Sequence, residues 1–191
     1  DLEVHESFNA YSNNAVVNAV KDIVGVQFRN MATVGGSIWG RFGFSDVLTV
    51  FLAMDTYVEL YKGGIVPLEQ FNNMNRDHDI LIRLIVKKTP CKVFYTSMRN
   101  QRTDFPVIAC AVSCLNGEYR ASIGARPSRA QIYRDDQKLI DGAISSQNAK
   151  AFAAYVSEKA PTGSNLRGSA AYRSHLIKVL TERSVMELGG M

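Results

Sequence analysis

Cysteine is scarce in this chain and spaced for no metal. Cys91, Cys110 and Cys114 form an odd set without a C-x-x-C pair. That excludes a zinc ribbon or an iron–sulfur cradle and suits a reducing compartment, here expected to be the cytoplasm. Histidine is equally thin: His5, His78 and His175 lie far apart, so no histidine-based metal or acid–base cluster is expected. No G-x-S-x-G nucleophile elbow, P-loop or G-x-G-x-x-G fingerprint occurs. Lys and Arg outnumber Asp and Glu by 22 to 18, but no five like charges run together, which argues against a nucleic-acid-binding arm. The longest apolar runs, such as "VLTVFLAM", are too short to span a bilayer. The acidic opening Asp1-Leu2-Glu3 is no signal peptide, and with no initiating Met the sequence is expected to be a piece of a longer product.

What is present is ordinary globular material: 46% hydrophobic and 21% charged residues over 191 positions, enough to bury a core in one large or two small domains. "NAVVNAVKDIV" places apolar residues at 16, 17, 20, 23 and 24, the spacing of one helical face. Ser45 is a fitting N-cap for "DVLTVFLAM", a helix apolar nearly all round and so expected to be buried. "DTYVELYKGG" and "HDILIRLIVKK" alternate as strands, with a helical turn at "VPLEQFNN" between them. Character changes at Thr89-Pro90, where a domain boundary is expected. Beyond it, two strands meet at Asn116-Gly117, a strong hairpin signal. Cys110 and Cys114 fall on one face of the first and are expected to be small packing residues. Two helices close the chain. The first turns Ala149, Phe152, Ala153 and Val156 to one side; the second starts at Ser169, with a stripe of Tyr172, Leu176, Val179, Leu180 and Arg183.

The segment Gln27 to Asp46, "QFRNMATVGGSIWGRFGFSD", is the least generic. Gly35 and Gly36 remove two side chains in succession, which permits positive φ and lets amide groups approach a ligand. Successive N–H groups in such a turn form a concave nest for phosphate oxygens, and Thr33 and Ser37 add hydroxyl donors. Asp46 supplies an acceptor. A glycine turn with no ligand has the same spacing, so spacing alone reaches no further than phosphate. Trp39, within the wrap, is expected to pack in the core.

The stretch "QFRNMATVGGSI…SDVLTVFLAMDTYVEL" resembles the FAD-binding domain of the molybdenum hydroxylases, the xanthine dehydrogenase and carbon monoxide dehydrogenase group. Gln27, Arg29, Asn30, Ala32, Thr33, Gly35 and Gly36 fall in register with the pattern Q-I-R-N-x-A-T-I-G-G-N-I. Further on, "DILIRLIV", "RTDFPVIACAV", "GARPSRA" and "GSAAYRSHLIKVL" are similar to later segments of the same family, in the same order over nearly the whole chain. Ser37 replaces the family's Asn, "RFGF" stands where a Pro precedes the Ser-Asp pair, and Thr96 stands where a Lys is usual.

The resemblance implies an α+β fold. Residues 1–88 would be the second subdomain of a two-subdomain FAD-binding domain, a mixed sheet with helices. Residues 89–191 would be a small antiparallel-sheet and helix domain like the C-terminal domain of the carbon monoxide dehydrogenase flavoprotein. It further implies that Thr33, Val34, Gly35, Gly36 and Ser37 wrap the FAD diphosphate, that Asp46 bonds the flavin side, that Leu81 borders the flavin and that Ile23 touches the adenine end. No side chain would be catalytic; the cofactor carries the chemistry. Such a flavoprotein, the medium subunit of its enzyme, carries electrons between iron–sulfur clusters and NAD or another acceptor. Its partners are a molybdenum-binding large subunit, with molybdopterin, and an iron–sulfur small subunit. This chain would lack the N-terminal subdomain, so alone it is expected to be inactive and to bind FAD poorly. Two other readings stay open: a degenerate relative or assembly module that no longer holds FAD, and a stand-alone flavoenzyme of the same fold.

Overall fold

The computed structural model describes residues 1–190. Five short helices lead: Glu6–Tyr11 (α1), Ala15–Val20 (α2), Val26–Met31 (α3), Val34–Gly40 (α4) and Asp46–Leu52 (α5). Strands Thr56–Leu60 (β1) and Gly64–Pro67 (β2), helix Leu68–Asn73 (α6) and strand Leu81–Val86 (β3) follow. Then come Cys91–Met98 (β4), Ile108–Leu115 (β5), Glu118–Gly124 (β6) and Gln131–Arg134 (β7), with helices Ser146–Lys159 (α7) and Ala170–Gly189 (α8) last. The fold is α+β. The strands form two sheets, ordered β2-β1-β3 and β4-β5-β6-β7. The first sheet, expected to be mixed, is antiparallel in every pair, because β1 turns straight into β2 and β3 returns along its other edge.

Local signals explain most elements. Ser45 Oγ accepts the Leu48 amide at 3.1 Å and starts α5, whose seven residues are all buried. Asn116 and Gly117 both take positive φ, 51° and 84°, the two-residue turn that matches strand twist between β5 and β6. The predicted helix over 14–24 is shorter: Asn14 sits at φ 61°, outside helical geometry, and α2 ends at Val20.

β5 is the centre of the molecule. Ala109 and Ala111 face the core built around α2 and α5, while Ile108, Cys110 and Val112 face the core under α7 and α8. Both faces being covered, the strand is an almost continuous apolar run. Cys110 is the packing residue expected of it, buried against Thr181. The first core takes in Val93, Tyr95 and Ala130 as well, so the amino-terminal helices pack directly on the second sheet.

The stripe on α8 lies one residue away from the expected one. Arg173, Leu176, Ile177, Leu180, Thr181, Ser184, Val185 and Leu188 are buried, whereas Tyr172 and Arg183 are exposed. Arg173 moves the stripe: a residue type usually outside fills an inner position because the loop before α8 supplies it with acceptors.

Candidate functional site

Gly35 and Gly36 do not form a positive-φ nest. They open α4, and positive φ among the glycines is confined to Gly64, Gly117 and Gly142. Thr33 is extended and caps the helix: its Oγ1 accepts the Gly36 amide at 3.0 Å. A Cβ at Gly36 would lie 2.9 Å from that hydroxyl oxygen, so a larger residue would displace the cap. The Ser37 amide bonds Thr33 O at 3.1 Å. The amides of Val34 and Gly35, the first two of the helix, find no acceptor among the described residues. Thr33 and Gly36 are exposed, and Val34, Gly35 and Ser37 half-exposed, so these donors lie at the surface. Thr33 uses Oγ1 as an acceptor and keeps its proton to donate. Ser37 gives its hydroxyl proton inward to Thr33 O at 3.2 Å.

Leu81 is beside this helix start: a Cβ on Gly35 would stand 3.8 Å from Leu81 Cδ2. Val34, Leu81 and Ile23 all rest against the first core while remaining partly open. Trp39, in the last turn of α4, packs on Phe71 with ring centroids 5.7 Å apart, the expected core role.

Asp46 is 4% exposed at the first turn of α5. Its Oδ1 accepts from the Tyr95 hydroxyl on β4 and from Arg99 Nη2, the latter at 2.7 Å. Burial pushes the Asp46 carboxyl up, while Arg99 and Tyr95 draw it down. Burial and the neighbouring carboxylate push the Tyr95 phenol well above its usual range. Arg99 also donates to Asp104 O. Tyr95 and Arg99 were not among the sequence candidates. A buried carboxylate calls for a donor, but which residue of the second sheet supplies it depends on the packing of α5 against that sheet.

Residues 2–88 match the family model described as the FAD binding domain in molybdopterin dehydrogenase. Over that segment, just under half of the chain, the sequence is similar to this family. The chain is 28% identical over 192 aligned residues to the xanthine dehydrogenase FAD-binding subunit of Escherichia coli O157:H7, an alignment covering 91% of this chain. It spans 65% of the length of that relative. The fold matches quinoline 2-oxidoreductase from Pseudomonas putida 86 with a TM-score of 0.85 at 16% identity, covering 98% of this chain and 70% of that one. It matches CO dehydrogenase from Oligotropha carboxidovorans with a TM-score of 0.82 at 17% identity, covering 96% and 70%.

FAD is the cofactor of this family, and the residues at the start of α4 fit its diphosphate. Two unclaimed surface amides, a hydroxyl with a free proton and a position where Cβ would intrude are what an approaching anion needs. Among the described residues, no group of His, Cys, Asp or Glu is placed to hold a metal. Among the same residues, no helix is long and apolar enough to cross a membrane.

Proposed function

We propose that this chain is the FAD-binding, electron-transfer part of a molybdenum hydroxylase of the xanthine dehydrogenase type. The proposed division is a cofactor-binding unit over 1–88 and a supporting unit over 89–191. The observation that carries the reading is the helix start at Thr33, with donors held at the surface and left unclaimed.

Val34 and Gly35 would direct their amides, and Thr33 its hydroxyl, at the diphosphate; a hydrogen bond to a charged acceptor contributes about 1.5–3 kcal/mol. Gly36 keeps the approach open, and Ser37 can offer only a lone pair, its proton being engaged. Leu81 would border the flavin and Ile23 the adenine end, two half-open apolar contacts that exclude water. Asp46, held in one orientation by Tyr95 and Arg99, would fix the flavin side. Bound FAD supplies the exchange of electrons between one-electron donors and a two-electron acceptor; this chain's residues supply placement and charge. The electrons would come from iron–sulfur clusters of a small subunit fed by a molybdenum-binding large subunit, and leave to NAD or another acceptor, in a cytoplasmic assembly.

A second reading, a relative that no longer holds FAD, draws on the inward-turned Ser37 hydroxyl and the engaged Asp46 Oδ1. One preparation separates the two. The full-length gene product should purify yellow, with a flavin spectrum and in company with larger subunits. A colourless full-length protein that takes up no added FAD contradicts the proposal.

A further inference from the structure

The turn between α4 and α5, "GRFGF", serves no part of the site above, yet it is built at a cost. Arg41 takes a left-handed φ of 45° and is 2% exposed. Its Nη1 donates to Phe71 O at 3.0 Å and Met74 O at 2.9 Å, and its guanidinium lies 4.5 Å from the Phe71 ring centroid. Gly43 O accepts the Ala125 amide at 2.6 Å, and a Cβ at Gly43 would meet Ser128 O at 2.5 Å. Strained, pinned backbone of this kind persists only where surrounding structure enforces it.

What it enforces is the exposure of two phenylalanines. Phe42 is 51% exposed and Phe44 42%, stacked at 5.3 Å with their planes 4° apart. Phe105, 37% exposed, continues the row 4.3 Å from Phe44. Arg76 lies over Phe42 at 5.7 Å and Arg167 over Phe105 at 5.3 Å, closing the row with a guanidinium at each end. At its foot, a cleft of about 270 Å³ opens between Phe44, Phe105, Ser128, Arg129, Asn165 and Arg167. Arg167 Nη2 meets Asp104 Oδ1 only at 3.3 Å, and its buried Nε has no partner. Contiguous exposed rings flanked by arginines have the composition of an interface centre, and rigid backing lowers the entropy lost on binding.

We infer that Phe42, Phe44 and Phe105, with Arg76 and Arg167, form the docking surface for an acidic segment of a partner chain. That segment carries an apolar side chain between two carboxylates: the rings take the apolar group and the guanidiniums take the charges. The arginines are at most about 20 Å apart along the row, the reach of about six extended residues. This inference rests on the proposed assembly with molybdenum-binding and iron–sulfur subunits.

The test is hydroxyl-radical footprinting of the full-length chain, alone and in complex with those co-expressed subunits. Phe42, Phe44 and Phe105 should be oxidised in the free chain and protected in the complex. Phe44→Ser and Arg167→Glu should each weaken assembly about 30-fold or more, the loss on truncating an interface anchor, with melting temperature and FAD content kept as folding controls. A complex that forms with these rings still oxidised overturns the inference and leaves the proposed function standing. Rings already protected in the full-length chain alone overturn it too, because its own chain then covers them. Failure of any complex to form removes both.

Discussion

Two helix starts in this molecule use the same hydroxyl cap and come to opposite ends. At α8, Ser169 Oγ accepts the Tyr172 amide, and Arg173, one residue on, is 1% exposed. Its guanidinium donates to Val107 O at 3.0 Å, Gly163 O at 2.7 Å, Gly168 O at 2.5 Å and Asn165 Oδ1 at 2.6 Å. At α4, Thr33 caps in the same way, but the amides of Val34 and Gly35 are left without acceptors and glycines keep side chains out. The first start ties a loop, a strand and a helix together. The second leaves two amides open at the surface. Every helix leaves its first amides without a partner inside the helix; at α8 Ser164 takes up the Ala170 amide, whereas at α4 the first two stay open to the proposed ligand.

Breaking the saturated start should have the largest effect. Arg173→Met leaves three backbone carbonyls short of a donor, and the expected cost is about 3 kcal/mol or more. For a chain of this size that lowers Tm by roughly 6–12 °C in scanning calorimetry. FAD affinity of the folded fraction should not change.

Gly36→Val acts on the open start. Its Cβ would crowd Thr33 Oγ1, so the cap is lost at a cost of about 1 kcal/mol. FAD should bind about tenfold or more weakly to the full-length protein, by equilibrium titration, a loss near 1.4 kcal/mol. Thr33→Val sharpens the comparison. It keeps the shape and removes the hydroxyl, so about 1 kcal/mol of stability and about tenfold or more in FAD affinity should go together. Thr33→Ser should restore both.

The smallest expected effect is at the ion pair joining α6 to β7, between the two regions. Arg134 reaches both oxygens of Glu69 and, through those bonds first, holds its carboxyl below the usual range. A folded-state value below the unfolded one gives stabilisation that is complete above the unfolded pKa, about 4.3, and lost as pH falls through the folded value. Both side chains are more than a third exposed, so the contribution is about 0.5 kcal/mol. Glu69→Gln should lose that amount at neutral pH, and the two proteins should converge in acid denaturant titrations.

The sequence made α5, the β5–β6 hairpin and the α7 face legible because each rests on a local signal. Ser45 caps, Asn116-Gly117 turns, and Phe152 recurs at helical spacing with Ala149 and Val156. The region around Thr33 was legible as a place and misread as a conformation. Adjacent glycines permit positive φ, but a threonine cap three residues before an accepted amide favours a helix start instead. Arg173 was invisible in its role because its acceptors come from residues 107, 163, 165 and 168, which only the folded chain brings around it. The same holds for Tyr95 and Arg99, which meet Asp46 across 49 and 53 residues of sequence.

The most direct test of the open donors is the amide proton and nitrogen shifts of Val34 and Gly35 in the labelled full-length protein during an FAD titration. Both amides should move strongly downfield with saturation, as donors gaining a charged acceptor do, while the Arg173 guanidinium signals stay where they are. Saturation with FAD that leaves Val34 and Gly35 unmoved would contradict the role assigned to the start of α4.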